Sequence, residues 1–159
     1  MLDAKRIEDA KRNTEACTRG DPMKLVSACL AGMKTRYDGT AKPHPKVMEM
    51  VRKGEAIPVC PEQLGGLTTP RPAAEIINGR VFDCEGRDVT SAFLKGAEKG
   101  LEIAKRAKCR EAILASRSSS CGCGEICDGT FSGKLVKGDG VFAALLKKNG
   151  IMVCTEECI

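Results

Sequence analysis

The sequence predicts an α/β protein with a Rossmann-like, three-layer fold: a short parallel sheet with helices on its faces and a small hairpin excursion. Two observations predict this class. Short apolar segments of strand character alternate along the chain with segments of helical periodicity, which is typical of a parallel sheet. The length of 159 residues, with 42% hydrophobic side chains, also suits one domain with its own core.

The first half of the chain supplies two strands, a helix and a hairpin. The segment over residues 24–29 is short and apolar, as expected for a buried strand. Residues 45–53 predict a helix, because a proline opens the segment and a glycine follows it. Residues 56–60 predict the second strand, and residues 61–72 a loop rich in Gly and Pro. Residues 76–89 alternate weakly around an Asn-Gly pair, which is typical of a hairpin turn.

The second half continues the alternation. Residues 90–107 are the strongest predicted helix, because apolar residues recur on one face and Thr90 can cap the start. A third strand over 111–115 leads into a loop over 116–140, and a loop of this length in a compact domain is typically functional. The remaining predicted elements are a helix over 141–149 and a strand over 151–154.

No internal repeat and no linker marks a second domain. Residues 1–22 are rich in charge and have weak helical spacing. We therefore expect a helical or flexible N-terminal arm over residues 1–22, followed by one domain over residues 23–159.

Composition narrows the class of function. With 3% aromatic residues and a net charge of +5, the chain does not resemble a base-stacking or DNA-binding protein. No apolar stretch has the length of a membrane span, and the charged N-terminus lacks the apolar core of a signal peptide. We therefore expect a cytoplasmic protein without a membrane partner. Its ten cysteines are then expected to be metal ligands, redox groups or buried side chains rather than disulfides.

Three cysteines stand at or after the ends of predicted strands: Cys29, Cys60 and Cys121. The carboxyl ends of the strands line the ligand crevice in open α/β sheets, so these thiols can meet at one site. Three thiolates indicate a metal centre with one open position. The spacing matches no zinc-ribbon or ferredoxin motif, so this inference depends on the fold.

Two neighbouring cysteines leave other functions open. Cys123 and Cys127 share a segment with Cys121, and either all three bind metal or Cys121 alone does. With a fourth cysteine these three can close a structural zinc site. Alternatively, Cys123 or Cys127 can carry sulfur as a persulfide.

Short motifs along the chain carry a family resemblance. In order they are Ser27-Ala28-Cys29-Leu30, Arg36-Tyr37-Asp38-Gly39, Val59-Cys60-Pro61-Glu62, Gly65-Gly66-Leu67, Pro70-Arg71-Pro72-Ala73-Ala74-Glu75, Ser118-Ser119-Ser120-Cys121-Gly122, Asp128-Gly129-Thr130-Phe131-Ser132-Gly133 and Gly138-Asp139-Gly140-Val141. Together they resemble the TudS family of thiouracil desulfidases, from about residue 24 to residue 153.

The resemblance implies an enzyme that removes sulfur from a thiolated pyrimidine without net redox change. The substrate can be a thiouracil-like base, a nucleoside or a modified tRNA base. The implied cofactor is a [4Fe-4S] cluster held by Cys29, Cys60 and Cys121. The implied catalytic residues are Glu62 and Ser118.

Each implied catalytic residue also has a structural alternative. Glu62 can serve as base or acid, or it can pair with Arg36 or Arg71. Ser118 can bind a pyrimidine carbonyl or a water, or it can satisfy backbone groups of its own loop. The loop with Arg36 and Asp38 can recognise the ring, or it can hold a buried Asp–Arg pair.

Overall fold

The computed structural model describes residues 22–159. The expected arm falls almost wholly outside the described residues, so it stays a prediction. In chain order the elements are β1 (Lys24–Ser27), a 3-10 helix (Ala28–Ala31), α1 (Pro45–Arg52), β2 (Ala56–Val59), α2 (Pro61–Leu64), β3 (Ala74–Ile77), β4 (Arg80–Asp83), α3 (Thr90–Arg106), β5 (Glu111–Leu114), β6 (Glu125–Cys127), β7 (Leu135–Lys137), α4 (Val141–Lys148), β8 (Met152–Thr155) and a second 3-10 helix (Glu156–Cys158).

The central sheet has four parallel strands in the order β2-β1-β5-β8. The order reverses at β1, because β2 pairs on one side of it and the later strands extend from the other. In open α/β sheets, ligands bind outside the carboxyl ends of the strands at such a reversal. The predicted α/β class with a short parallel sheet is therefore confirmed.

The core lies between this sheet and the helices packed on it. Strands β1 and β5 are each buried over three consecutive residues without alternation, as expected for strands covered on both faces. Helix α3 contributes Phe93 and Ala97, and α4 contributes Phe142 and Leu146, each at most 1% exposed. Helix α3 packs against both α2 and α4.

Two hairpins project from the sheet, of which the sequence predicted one. The predicted turn joins β3 and β4, and Asn78 and Gly79 both have positive φ (49° and 78°), as a type I′ turn requires. The second hairpin, β6–β7, lies inside the predicted loop over 116–140. Its strands have three residues each, too few to produce a readable alternation among Gly and Ser.

Other local predictions need correction. Residues 61–72 are not wholly loop, because α2 begins directly after Cys60. Thr90 does not cap α3; its hydroxyl oxygen instead accepts from the Val81 N–H of neighbouring β4 at 2.8 Å. The Thr90 N–H donates to Asp88 Oδ1 at 3.0 Å. The first strand ends at Ser27, which places Cys29 in a 3-10 helix.

No helix within residues 22–159 is long and apolar enough to cross a membrane.

Candidate functional site

A cavity of about 320 Å³ opens where the parallel strands end. This volume lies at the lower end of the range for ligand pockets, roughly 300–1,000 Å³. Segments after β1, β2 and β5 line it, together with the start of β3. The lining includes the five residues implied by the resemblance: Cys29, Cys60, Glu62, Ser118 and Cys121.

Cys29 lies in the 3-10 helix that follows β1. Its carbonyl accepts the N–H groups of Gly32 and Lys42 at 3.2 and 3.0 Å, and Gly32 ends the turn with a φ of 91°. Burial, and then the nearby Cys60 thiol, raises the pKa of Cys29 to about 11, although Arg36 opposes this effect. The thiol is therefore protonated at neutral pH in the protein without metal.

Cys60 is positioned by close packing between α2 and α3. Pro61 opens α2, and a Cβ placed on Gly96 of α3 would lie 1.8 Å from the Pro61 carbonyl oxygen. Only a glycine at this point lets the two helices approach so closely. The Cys60 thiol lies 3.8 Å from the Thr35 carbonyl oxygen, and burial raises its pKa.

Cys121 is held by the loop between β5 and β6. Ser118 Oγ accepts the N–H groups of Ser120 and Cys121, each at 3.1 Å. The first N–H groups of α4 attach to the same loop, since the Phe142 N–H donates to the Ser120 carbonyl at 2.8 Å. Cys121 is 5% exposed, and burial raises the pKa of its thiol.

The three thiols surround the cavity rather than converge on one point. After burial, the nearby Cys29 and Cys60 thiols also act to raise the pKa of Cys121, as expected for groups that line one cavity. Within residues 22–159, no three His, Cys, Asp or Glu side chains are arranged around a single metal ion. In an iron–sulfur cluster each thiolate binds a different iron, so thiols spread around a cavity fit a cluster. Metal binding would displace the protons that these thiols carry.

Glu62 forms a shielded ion pair with Arg71. Glu62 Oε2 lies 3.0 Å from Arg71 Nη2, and the two side chains are 19% and 4% exposed. Arg71 Nη2 also donates to the Thr35 carbonyl at 2.9 Å, and Nη1 donates to Thr69 Oγ1 at 2.7 Å. Of the two expected partners of Glu62, the structure therefore selects Arg71. These contacts fix the guanidinium, which in turn orients the carboxylate.

The loop after Cys29 does not contain the buried Asp–Arg pair offered as an alternative. Asp38 is exposed and accepts two hydrogen bonds from Thr40, which hold the pKa of its carboxyl below the usual value. The Arg36 guanidinium instead lies over the Tyr37 ring, 5.9 Å from its centroid. Both Arg36 and Tyr37 line the cavity.

Cys123 and Cys127, which share a segment with Cys121, do not together form one site with it. Cys123 Sγ contacts the Val153 carbonyl at 3.5 Å, whereas Cys127 Sγ lies 3.9 Å from the Arg117 carbonyl and lines the cavity. The zinc arrangement that requires Cys121, Cys123 and Cys127 together is therefore not formed.

Sequence reasoning missed two features of the cavity. The first is Glu75, a buried acid that lines it. Its only sequence signal was its place at the end of a family motif. The second is Glu156, which accepts from two residues that line the cavity, from Lys42 Nζ at 2.6 Å and from Ser116 Oγ at 2.7 Å. No local pattern connects Lys42 with an acid 114 residues away.

Comparisons with known proteins identify the family of this chain. Residues 25–158 match the sequence profile of 2-thiouracil desulfurase. The uncharacterized protein YbbK of Bacillus subtilis (strain 168) is 43% identical over 144 residues, which cover 84% of this chain and 95% of that protein. A solved structure described as the [4Fe-4S]-dependent thiouracil desulfidase TudS is 40% identical, with a TM-score of 0.84. The match covers 87% of this chain and 93% of that one.

Proposed function

Because the chain belongs to the 2-thiouracil desulfurase family, we propose that it removes sulfur from a thiolated pyrimidine at a [4Fe-4S] cluster held by Cys29, Cys60 and Cys121. The observation that carries the proposal is one cavity lined by these three buried or half-buried thiols and by Glu62. Three protein thiolates match a four-iron cluster with one iron left for substrate.

The reaction is a hydrolysis and consumes neither oxidant nor reductant. Water forms a C–O bond at the carbon that bears sulfur. The C–S bond then breaks with both electrons going to sulfur, which leaves as hydrosulfide. When bound, the cluster supplies a Lewis-acidic iron that draws electron density from the thiocarbonyl and stabilises the departing sulfur.

Glu62 takes the proton of the attacking water. Its side chain lines the cavity, and Oε2 is held by Arg71. Oε1 has no hydrogen-bond partner among residues 22–159, so one carboxylate oxygen is anchored and the other can receive the proton. The same carboxyl then passes this proton to the departing sulfur, which leaves as hydrosulfide, and the proton left on the new hydroxyl is released to solvent as the ring carbonyl forms.

Ser118 contributes one hydrogen-bond donor. A serine hydroxyl offers two acceptor lone pairs and one O–H. Both acceptor positions are occupied, by the N–H groups of Ser120 and Cys121. The O–H therefore remains available and can donate to a pyrimidine carbonyl or to the water. Ser118 thus combines the structural and the catalytic roles between which the sequence left a choice.

The decisive experiment is anaerobic purification with iron analysis and turnover of thiouracil. We expect about four irons per chain, a brown protein and release of uracil and sulfide. Cys29→Ala, Cys60→Ala and Cys121→Ala are each expected to lose the cluster and turnover. A wild-type protein that stays colourless after anaerobic reconstitution with iron and sulfide would overturn the proposal.

Cys123→Ala is the matched control. Cys123 is two residues from Cys121, but its thiol contacts Val153 and does not line the cavity. This variant is expected to keep its iron and its turnover. Turnover that survives Cys29→Ala and is lost in Cys127→Ala would instead support a persulfide carrier.

A further inference from the structure

Glu75 is a second acid at the cavity, and the proposed reaction assigns it no role. It is the second residue of β3, pairs in register with Phe82 of β4, and is 8% exposed. It lines the same cavity as Glu62 and the three cysteines.

Two backbone groups hold the Glu75 carboxylate by one oxygen. Oε1 accepts the N–H of Gly129 at 3.0 Å and the N–H of Phe131 at 3.1 Å. Both donors belong to the loop that joins β6 to β7. The carboxylate is therefore fixed in position before any ligand binds.

The other oxygen, Oε2, is an open acceptor. It receives no hydrogen bond from any group in residues 22–159. If this oxygen were sealed inside the protein, it would be a buried side-chain atom without a hydrogen-bond partner. In the described chain the atoms of that kind are His44 Nδ1 and Arg71 Nε, so Oε2 is not sealed inside. Because Glu75 is nearly buried yet lines the cavity, its free oxygen is accessible to a ligand there.

Glu75 also lacks a countercharge. The other cavity acid, Glu62, is paired with Arg71, whereas Glu75 has no cationic partner within the part of the chain that the structure describes. Burying a carboxylate without a cation costs free energy, and its two N–H bonds occupy only one of its oxygens. A carboxylate that is buried at this cost in free energy beside a ligand cavity indicates a group that interacts with the ligand.

Building on the proposed function, we infer that Glu75 is a specificity-determining residue that accepts a hydrogen bond from a ring N–H of the pyrimidine. Thiouracil and uracil both carry N–H groups beside their thiocarbonyl or carbonyl carbons. An ionised carboxylate only accepts hydrogen bonds. It therefore favours rings that present an N–H and rejects analogues in which that N–H is missing.

Glu75→Gln tests this with little change in shape. The glutamine carbonyl can keep the bonds from Gly129 and Phe131, and its NH₂ then occupies the place of Oε2. A donor would face the ring N–H. On the cluster-loaded protein we expect uracil binding, measured by equilibrium dialysis, to weaken by about 10- to 100-fold.

Methylated uracils provide the second arm. We expect wild type to bind either 1-methyluracil or 3-methyluracil about 10- to 100-fold more weakly than uracil, because one methyl removes the N–H in question. Glu75→Gln is expected to lose most of this discrimination at the same position. The steric effect of the methyl group is the same in both proteins, whereas the hydrogen bond exists only in wild type. Coupling between the substitution and the methyl group therefore measures the hydrogen bond. Equal discrimination in both proteins would overturn the inference.

Two further sets of measurements are made, one on a control variant and one on the wild type alone. Glu85→Gln, at an acid 60% exposed in the turn after β4, is expected to bind all three rings as wild type does. If Glu75→Gln does not fold, equal wild-type affinity for uracil and both methyl derivatives overturns the inference. If wild type turns over thiouracil without the coupling, only the inference fails. If it neither turns over thiouracil nor binds uracil, both fail.

Discussion

Replacing Gly96 with alanine is expected to displace the segment that carries Cys60 and Glu62. The added Cβ would lie 1.8 Å from the Pro61 carbonyl oxygen and 2.7 Å from its carbon. Ordinary contact begins near 3.4 Å, so α2 and α3 must separate by roughly 1.5 Å. Both clashing atoms are backbone, so no side-chain rotation relieves them.

The expected effects on stability and on activity differ in size. Overpacking costs about 1–3 kcal/mol, and alanine in a helix interior returns about 1 kcal/mol relative to glycine. The net loss of unfolding free energy is then about 0–2 kcal/mol. A displacement of about 1 Å at reacting groups can lower turnover by roughly a hundredfold. We therefore expect a folded Gly96→Ala protein with impaired cluster retention and strongly reduced turnover.

Gly100→Ala is the matched control within α3. Its Cβ would lie 2.6 Å from the ring of Phe142, so the clash is with a side chain on α4 and not with α2. Urea unfolding, iron content and thiouracil turnover should be measured for both variants. We expect similar losses of stability but normal iron in Gly100→Ala. Normal iron and turnover in Gly96→Ala, or equal loss of both in the two variants, would refute this reasoning.

Three further substitutions test the contacts around the cavity. Arg71→Lys replaces the forked donors of the guanidinium with a single ammonium, which cannot make the same contacts. We expect kcat to fall about tenfold or more while iron is retained. An unchanged kcat would contradict the role of Arg71 in orienting Glu62. Ser118→Ala leaves the Cys121 N–H without its acceptor, so urea unfolding should show a loss of about 1–3 kcal/mol, and wild-type stability would count against this role. Burial by itself raises the pKa of Glu156, but hydrogen bonds from Lys42 and Ser116 outweigh it, and the net pKa is lowered. Its contribution is therefore present at neutral pH and lost as pH falls through the lowered pKa. Glu156→Gln should be about 1.5–3 kcal/mol less stable than wild type at pH 7, and the gap should shrink toward pH 3; a gap independent of pH contradicts the assignment.

Most regular elements could be predicted because each depends on local periodicity. The strands after residues 23, 55 and 110 each contain a short apolar stretch, and α3 carries its apolar residues on one face. The elements that were missed are the shortest. Helix α2 has four residues and β6 has three, so each contains little more than one period of its pattern. The cap at Thr90 was wrong because β4, a non-local neighbour, takes its hydroxyl.

The residues of the candidate site also divide into those that the sequence could predict and those that it could not. Cys29, Cys60 and Cys121 could be chosen from the sequence because each follows a strand, and parallel strands end at one edge. The sequence could not rank Arg36 against Arg71 as the partner of Glu62. That choice depends on how the loop before β3 folds back on α2.

By itself the sequence determined the parallel α/β class, the order of the cysteines behind the strands and the family motifs. Only the tertiary structure decided which side chains meet: Glu62 with Arg71, Glu156 with Lys42, Cys127 at the cavity and Cys123 away from it. The physical reason is range. Hydrophobic periodicity acts over a few residues and marks elements and their buried faces. Hydrogen bonds and ion pairs require contact within a few ångströms between groups that are often far apart in sequence, and only packing brings them together.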